Sequence, residues 1–492
     1  PARGKRTLGR LKILRYTYAM TNDSLPQRLQ DALSCHQAGD LAAAEAGYLA
    51  VLADEPGHVD ALYLLSTLRL QQGRAEDALA LSEQVIAHVP RVADAHANKG
   101  TALQSLQRFE DAAAAFRRAI QLLPDAAHLH FNLGNALRAA GDKSGAVKAY
   151  RDAVALKGDF VQALSNLGAT LSELGLFDEA ATVCAEACRL VPGFADAHYN
   201  RGNAHREAGR YADAVAAFEA VLVVEPEHAN ALCNLGLTLM RDGDLQPAID
   251  TLADAIQIAP DHAMAAFYHA VASEMSGADA EPLFAPMNAE DPTIAAWLDS
   301  WTYIKSNSTL ASEIIHDPFR LLRHAFDAAP ETGLVLEFGV RHGMSLRHIA
   351  GLTSAPVHGF DSFQGLPTAW GDEPKGVYST GGALPEVLDN VTLHPGLFED
   401  TLADFLAAHP GDIRFCNIDC DIYASTVTVL NGLAPRIQPG TVLVFDEYLV
   451  NPTWREDEHR AFQEAVARYG WTYSYIAFGI VTKQAGVVIE SV

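Results

Sequence analysis

Three acids near the carboxyl end of the chain, Asp419, Asp446 and Glu447, stand where two strands of one sheet could bring them together. Asp419 closes the apolar run Ile413–Ile418, and Asp446-Glu447 close Thr441–Phe445. Neighbouring strands of a doubly wound sheet lie about 4.8 Å apart. Three carboxylates held that close repel unless a proton or a cation sits among them. All-oxygen ligands favour Mg²⁺, Mn²⁺ or Ca²⁺ over zinc. Such an ion could bind a hydroxyl, lower its pKa and fix its oxygen for attack. Asp419 would then be both ligand and the base that takes the proton. The plainer alternative is that Asp421 and Glu447 are solvated strand-end acids and only Asp446 points inward. His342, His394 and His459 are the other candidate bases.

A second group lies upstream, in Leu336-Glu337-Phe338-Gly339-Val340-Arg341-His342-Gly343-Met344-Ser345. The run 333–336 reads as a short buried strand, and 346–350 as the start of a helix. A strand, a turn with two glycines and a helix form the entry to a nucleotide-type site in an open α/β sheet. Glycine lets a ligand approach the backbone, and the helix start offers free N–H groups. The spacing E-x-G-x-x-x-G-x-S is not the dinucleotide pattern G-x-G-x-x-G. Asp361, 24 residues beyond Glu337, ends the next strand, where such sheets hold a ribose diol.

These residues need a scaffold, and the 492-residue chain is long enough for two to four domains. The net charge of −25 argues against a nucleic-acid partner. No run of 18 apolar residues predicts a membrane span. The six cysteines form no C-x-x-C pair, which predicts free thiols in a reducing, cytoplasmic compartment. Residues 1–24 read as a basic leader, expected to be disordered, whose apolar run is too short for a secretory signal. It carries Arg3, Lys5, Arg6, Arg10, Lys12 and Arg15, and a start at Met20 is an alternative.

From residue 25 the chain repeats every 34 residues. Gly39, Gly73, Gln107, Gly141, Gly175, Gly209 and Gly243 are in phase, as are Ala44, Ala78, Ala112, Ala146, Ala180, Ala214 and Ala248. Proline closes all but one unit. Each unit predicts two amphipathic helices, a left-handed cap between them and a close crossing at the alanine. This frame resembles the tetratricopeptide repeat. The resemblance implies an α-solenoid over 25–276, ending in a capping helix, with a groove for a protein or peptide. Asn98, Asn132, Asn166, Asn200 and Asn234 recur on the first helices. In that superhelix the position faces the groove, where a ladder of amides could hold an extended peptide. The alternative is that they bridge neighbouring helices. Residues 277–316 lose the period and read as a helical connector.

The rest of the chain adds a D-S-F-x-G-L-P loop at Asp361–Pro367, a G-x-F-x-D-T-L turn at Gly396–Leu402, I-D-x-D-x-Y at Ile418–Tyr423 and the F-D-E-Y strand end at Phe445–Tyr448. With E-x-G-x-x-x-G-x-S, this set resembles class I methyltransferases, and within them the macrocin O-methyltransferase family. The resemblance implies a doubly wound, Rossmann-like α/β domain over 317–492 that uses S-adenosylmethionine. Glu337, Gly339, Gly343 and Ser345 would line its methionine and ribose, Asp361 and Ser362 the ribose side, and Gly396 and Phe398 the adenine. The family's Mg²⁺ would fall on Asp419, Asp446 and Glu447; Glu447 departs from the usual aspartate pair.

The function expected from this reading is metal-assisted O-methyl transfer to a hydroxyl of a sugar, a secondary metabolite or a carrier- or peptide-borne acceptor. One rival is a peptide or protein methyltransferase fed by the repeat groove. Another is a non-enzymatic repeat adaptor with a degenerate methyltransferase domain. Self-association stays open on the sequence.

Overall fold

The computed structural model describes residues 24–308, 314–371 and 375–492. The basic leader, Ser24 apart, lies outside them. The chain forms two compact units. One runs to Leu174 and includes Thr182–Pro192; the other comprises Gly175–Ala181 and Gly193–Val492.

Helix pairs make up the repeats. The first helices are α1 (Ser24–Ala38), α3 (Val59–Gln71), α5 (Ala93–Ser105), α7 (Ala127–Ala139), α9 (Val161–Glu173), α11 (Ala195–Glu207) and α13 (Ala229–Asp242). The second helices are α2 (Leu41–Asp54), α4 (Ala75–His88), α6 (Phe109–Leu122), α8 (Lys143–Leu156), α10 (Phe177–Leu190), α12 (Tyr211–Val224) and α14 (Leu245–Ile258). α15 (Ala263–Met275) follows.

In the first unit the in-phase alanines Ala44, Ala78, Ala112 and Ala146 are fully buried at the helix crossings. The turn between paired helices needs a left-handed residue. Gly141 supplies it at φ +85°, and Gln107, the one departure from glycine, adopts φ +59° in the same place. A second glycine lets the helices close: a Cβ on Gly134 would sit 2.5 Å from the Tyr150 ring.

The second unit joins the last repeats to the α/β domain through one buried core. Phe267 and Tyr268 of α15, with Trp301 and Ile304 of α17 (Pro292–Asn307), cluster with Leu449, Phe478 and Ile480. Between them lies the short α16 (Glu281–Phe284). Tyr268 donates its hydroxyl to the Ile480 carbonyl at 3.4 Å, and Ser300 Oγ accepts from the Val450 N–H at 2.8 Å.

The domain itself has strands β1 (Leu334–Phe338), β2 (Val357–Asp361), β3 (Val391–Pro395), β4 (Ile413–Ile418), β5 (Val442–Phe445), β6 (Thr472–Phe478) and β7 (Ala485–Ser491). Their order is β3-β2-β1-β4-β5-β7-β6, with the first five parallel and β7 antiparallel to β5 and β6. Alternate side chains go to opposite faces. Val335, Phe415, Val442 and Val444 pack with α18 (Pro318–Ala328) and α19 (Met344–Gly351). Leu336, Phe338, Ile418 and Phe445 pack with α20 (Phe398–Ala408), α21 (Tyr423–Leu433) and α22 (Glu458–Tyr469). Strand order reverses at β1, which pairs with β2 on one side and β4 on the other. That reversal opens a crevice at the carboxyl ends of the strands.

Candidate active site

A cavity of about 340 Å³ occupies this crevice. Its wall is made by Gly339 and Arg341 after β1, by Asp361, Ser362, Gly365, Leu366, Pro367 and Tyr378 at and beyond β2, and by Gly396, Leu397, Phe398 and Glu399 after β3. Asp419, Cys420, Asp421 and Ser425 follow β4, and Asp446 and Glu447 follow β5. The strand ends are tied by bonds that run one residue past the sheet. Asp419 N–H donates to the Phe338 carbonyl at 2.8 Å and Asp446 N–H to the Ile418 carbonyl at 3.0 Å. These set the two acids side by side.

Of the residues expected to hold a cofactor, Gly339, Asp361, Ser362, Gly396 and Phe398 line the cavity. Glu337, Gly343 and Ser345 are not among its lining residues. Glu337 is fully buried and accepts from Ser345 Oγ; its other carboxylate oxygen has no partner among the described residues. Burial first, then the charges of Asp446 and Asp361, push its carboxyl up to about 8. Gly343 is the left-handed N-cap of α19 at φ +69°, so it shapes the turn. Gly339 gives way to protein backbone more than to a ligand: at φ +90°, a Cβ would lie 1.8 Å from the Asp419 carbonyl oxygen. Asp361 clamps the turn it faces. It accepts from Val340 N–H at 2.8 Å, Arg341 N–H at 2.7 Å and Phe363 N–H at 2.6 Å. A carboxylate has about four acceptor sites, so about one remains for a bound hydroxyl.

Asp419 and Asp446 sit in a cluster of acids. Burial, then Asp446, Asp421, Glu458 and Glu337, hold the Asp419 carboxyl well above its usual range. Burial raises Asp446 also, offset by the Gln484 amide that donates to its Oδ1 at 2.6 Å. Burial, then the charges of Glu447 and Asp446, push Asp421 up to about 7, and its backbone is held at φ +59°. Glu458, from the first turn of α22, is buried and braces both strand ends. It accepts from Cys420 N–H at 3.0 Å and from Glu447 N–H at 3.2 Å.

Asp419, Asp446 and Glu447, the expected metal ligands, all line this cavity, but not as a ready ligand set. Among the described residues, no group of three His, Cys, Asp or Glu side chains is placed to hold a metal ion. The physical reason lies at Glu447, both of whose oxygens are 3.0 Å from the Lys483 ammonium. Asp419 and Asp446 remain as oxygen donors on the cavity wall, but the third arm is committed elsewhere. The donor set as placed does not fit a three-carboxylate Mg²⁺ site. It does fit a cationic, nucleoside-bearing cofactor, with several acids and the apolar Leu397 and Phe398 on one wall.

None of the three candidate histidines lines the cavity. His394 is paired with His358 at 3.2 Å and stacked on Phe360. His459 meets the Tyr303 hydroxyl at 3.2 Å, and burial, then Arg455, brings it down to about 4. His342, in the turn after β1, gives its carbonyl to Arg347 at 2.8 Å. Arg341, Tyr378, Glu458, Lys483 and Gln484 hold no fixed position of a motif, whereas Asp421 is the second acid of I-D-x-D-x-Y. Arg341 lies inside E-x-G-x-x-x-G-x-S and could have been singled out. Tyr378, Lys483 and Gln484 come from loops and turns, and Glu458 from the start of α22, with no local signature.

The asparagine column is engaged between helices where its bonds are defined. Asn98 donates to Ser66 Oγ at 2.8 Å and Thr67 Oγ1 at 2.9 Å. Asn166 donates to Asn135 Oδ1, and Asn234 to Asn203 Oδ1 and the Tyr199 hydroxyl, each at 2.9 Å. Asn132 lies on α7 and Asn200 on α11.

Fold and crevice together define a helical-repeat array joined to a doubly wound α/β domain whose site lies at the strand ends. The chain is a tetratricopeptide-repeat array fused to a methyltransferase domain. Models of the tetratricopeptide repeat match 36–90, 66–127, 97–159, 131–194 and 199–277, and a methyltransferase-domain model matches 336–448. The chain is 29% identical over 120 residues to 8-demethyl-8-(2,3-dimethoxy-alpha-L-rhamnosyl)-tetracenomycin-C 4'-O-methyltransferase of Streptomyces olivaceus, covering 20% of this chain and 45% of that protein. It is 29% identical over 168 residues to mycinamicin III 3''-O-methyltransferase of Micromonospora griseorubida, covering 28% of this chain and 65% of that protein. The chain thus spans less than two thirds of these relatives. Among solved structures it is similar to YrrB, a TPR protein with an unusual peptide-binding site, at 25% identity, with a TM-score of 0.33 over 37% of this chain and 95% of that one. A tetratricopeptide repeat protein of Parabacteroides merdae is 16% identical, with a TM-score of 0.40 over 51% and 99%.

Proposed function

We propose that the chain is an S-adenosylmethionine-dependent O-methyltransferase acting on a hydroxyl of a sugar, a secondary metabolite or a carrier- or peptide-borne acceptor. The observation that carries this reading is the placement of Asp419 on the cavity wall, beside Asp446, at the switch point of a methyltransferase-type sheet. The sugar O-methyltransferase relatives support an oxygen acceptor.

S-adenosylmethionine, when bound, supplies an electrophilic methyl group on a sulfonium. The chain's acids favour that positive charge, and Asp361 and Phe398 flank the nucleoside side of the cavity. With that group bound, Asp419 would take the acceptor's hydroxyl proton on its carboxylate, and the cofactor would supply the methyl group to the acceptor's oxygen. Metal assistance, the finer expectation, would draw on Asp419 and Asp446, and no step is routed through an ion. We read the repeats as a protein- or peptide-binding surface, by analogy with repeat arrays of this kind.

The test is calorimetric titration of S-adenosylmethionine into the full chain, followed by methyl transfer from labelled cofactor to a panel of hydroxylated glycosides. Binding that survives in Asp419→Asn, with transfer lost, supports the reading. No cofactor binding in the parent chain would overturn it. For the repeats, changing Asn132, Asn166 and Asn200 together to Ala should weaken capture of an extended peptide, and unchanged capture would remove the ladder.

A further inference from the structure

Two consecutive residues of the turn between β6 and β7 hold two consecutive acids after β5. Lys483 reaches Glu447 with its ammonium 3.0 Å from both oxygens, and Gln484 donates to Asp446 Oδ1 at 2.6 Å. The turn is built for this. Lys483 sits at φ +66°, a region L side chains rarely adopt, and its carbonyl accepts from Leu449 N–H at 3.1 Å, just past the acids. The Ile480 carbonyl of the same turn is held by Tyr268.

We propose that Lys483 is the resident counter-ion of this site, and that it keeps Glu447 out of any metal-ligand set. A carboxylate bound to Mg²⁺ must place an oxygen about 2.0–2.1 Å from the ion. Both Glu447 oxygens already face an ammonium, and a second cation on the same group would be repelled by the first. The Lys483 side chain is 40% exposed while Glu447 is 16% exposed. The lysine can therefore be removed or swung out without opening the core. The acid pattern of a metal-dependent methylase is retained here, with its third arm neutralised by the protein's own charge.

The readout is metal affinity, so the result stands apart from whether an acceptor is found. Free Mn²⁺ is followed by electron paramagnetic resonance during titration into the chelator-treated full chain and its variants. Glu447→Gln should change the affinity of the parent chain by less than about twofold, since Glu447 is not a ligand there. Lys483→Met should strengthen Mn²⁺ binding by about tenfold or more, the scale on which a ligand's supporting partner acts. The double variant Lys483→Met/Glu447→Gln should lose that gain. Three outcomes would overturn the proposal: a loss of tenfold or more in Glu447→Gln alone, no change in Lys483→Met, or a gain that persists in the double variant. Lys483→Gln repeats the comparison if the methionine variant does not fold.

Discussion

Gly339 and Asp419 meet back to back across β1 and β4: a Cβ on the glycine would lie 1.8 Å from the Asp419 carbonyl oxygen. The first glycine of the turn after β1 is therefore fixed by the acid after β4. The contact lets Asp419 project into the cavity from a strand end that would otherwise be pushed away.

Gly339→Ala should lose more than about 4 kcal/mol of stability or give no soluble protein, since it combines a hard clash with a left-handed backbone. Chemical denaturation of the purified variant measures this. A stable, active Gly339→Ala protein would mean that the two backbones can separate.

Asp446→Asn should trade activity for stability. It removes one charge from a buried group that also holds Asp419, Asp421 and Glu458, and the Gln484 donor keeps its acceptor. A gain of about 1–2 kcal/mol is expected, in the range seen when strained sites are relaxed. Thermal unfolding should rise by a few degrees while methyl transfer is lost. An unchanged or lower midpoint would show that the repulsion is already quenched.

Acid should loosen the outer edge of the sheet. His358 is buried on β2 among His394, His409 and Phe405, and burial, then His394 and His409, brings it down to about 4. Its ordinary value is about 6.5, so between those values the unfolded chain binds a proton that the folded chain refuses. Stability is then full above about 6.5 and falls as pH drops toward 4. The loss is at most about 3 kcal/mol. His358→Phe should flatten the decline across that window, as read from denaturation midpoints at several pH values. An identical slope in the variant would shift the cause to other groups.

Asn166→Ala removes a donor shared between repeats and leaves the Asn135 Oδ1 to the Tyr150 hydroxyl among the described residues. A cost of about 0.5–1.5 kcal/mol is expected, measured as a shift of the urea midpoint. A neutral result would show that the amide bond is made equally well to water.

The repeat array could be read from period alone, because each turn and crossing is set within 34 residues by local geometry. Even Gln107, out of pattern, takes the backbone that its phase requires. Four of the parallel strands were legible as short apolar runs ending at or just before acids, and the domain type made the strands of Asp419 and Asp446 neighbours. Less visible was what each motif residue does. Asp361 accepts three backbone N–H bonds, and Glu337 is buried and accepts from Ser345. Chemical type says what a carboxylate can accept, and only placement says which donor arrives first.

Local sequence determined the repeats, the glycine turns and the acids at the strand ends, since those depend on backbone preference and hydrophobic period over a few residues. Tertiary structure alone decided where the charges are answered. Lys483 and Gln484 come from a turn 36 and 38 residues beyond Glu447 and Asp446 and carry no motif. They meet the acids because β7 inserts antiparallel between β5 and β6 and returns its leading turn to the end of β5. Electrostatic pairing acts through space, at distances that chain separation does not encode.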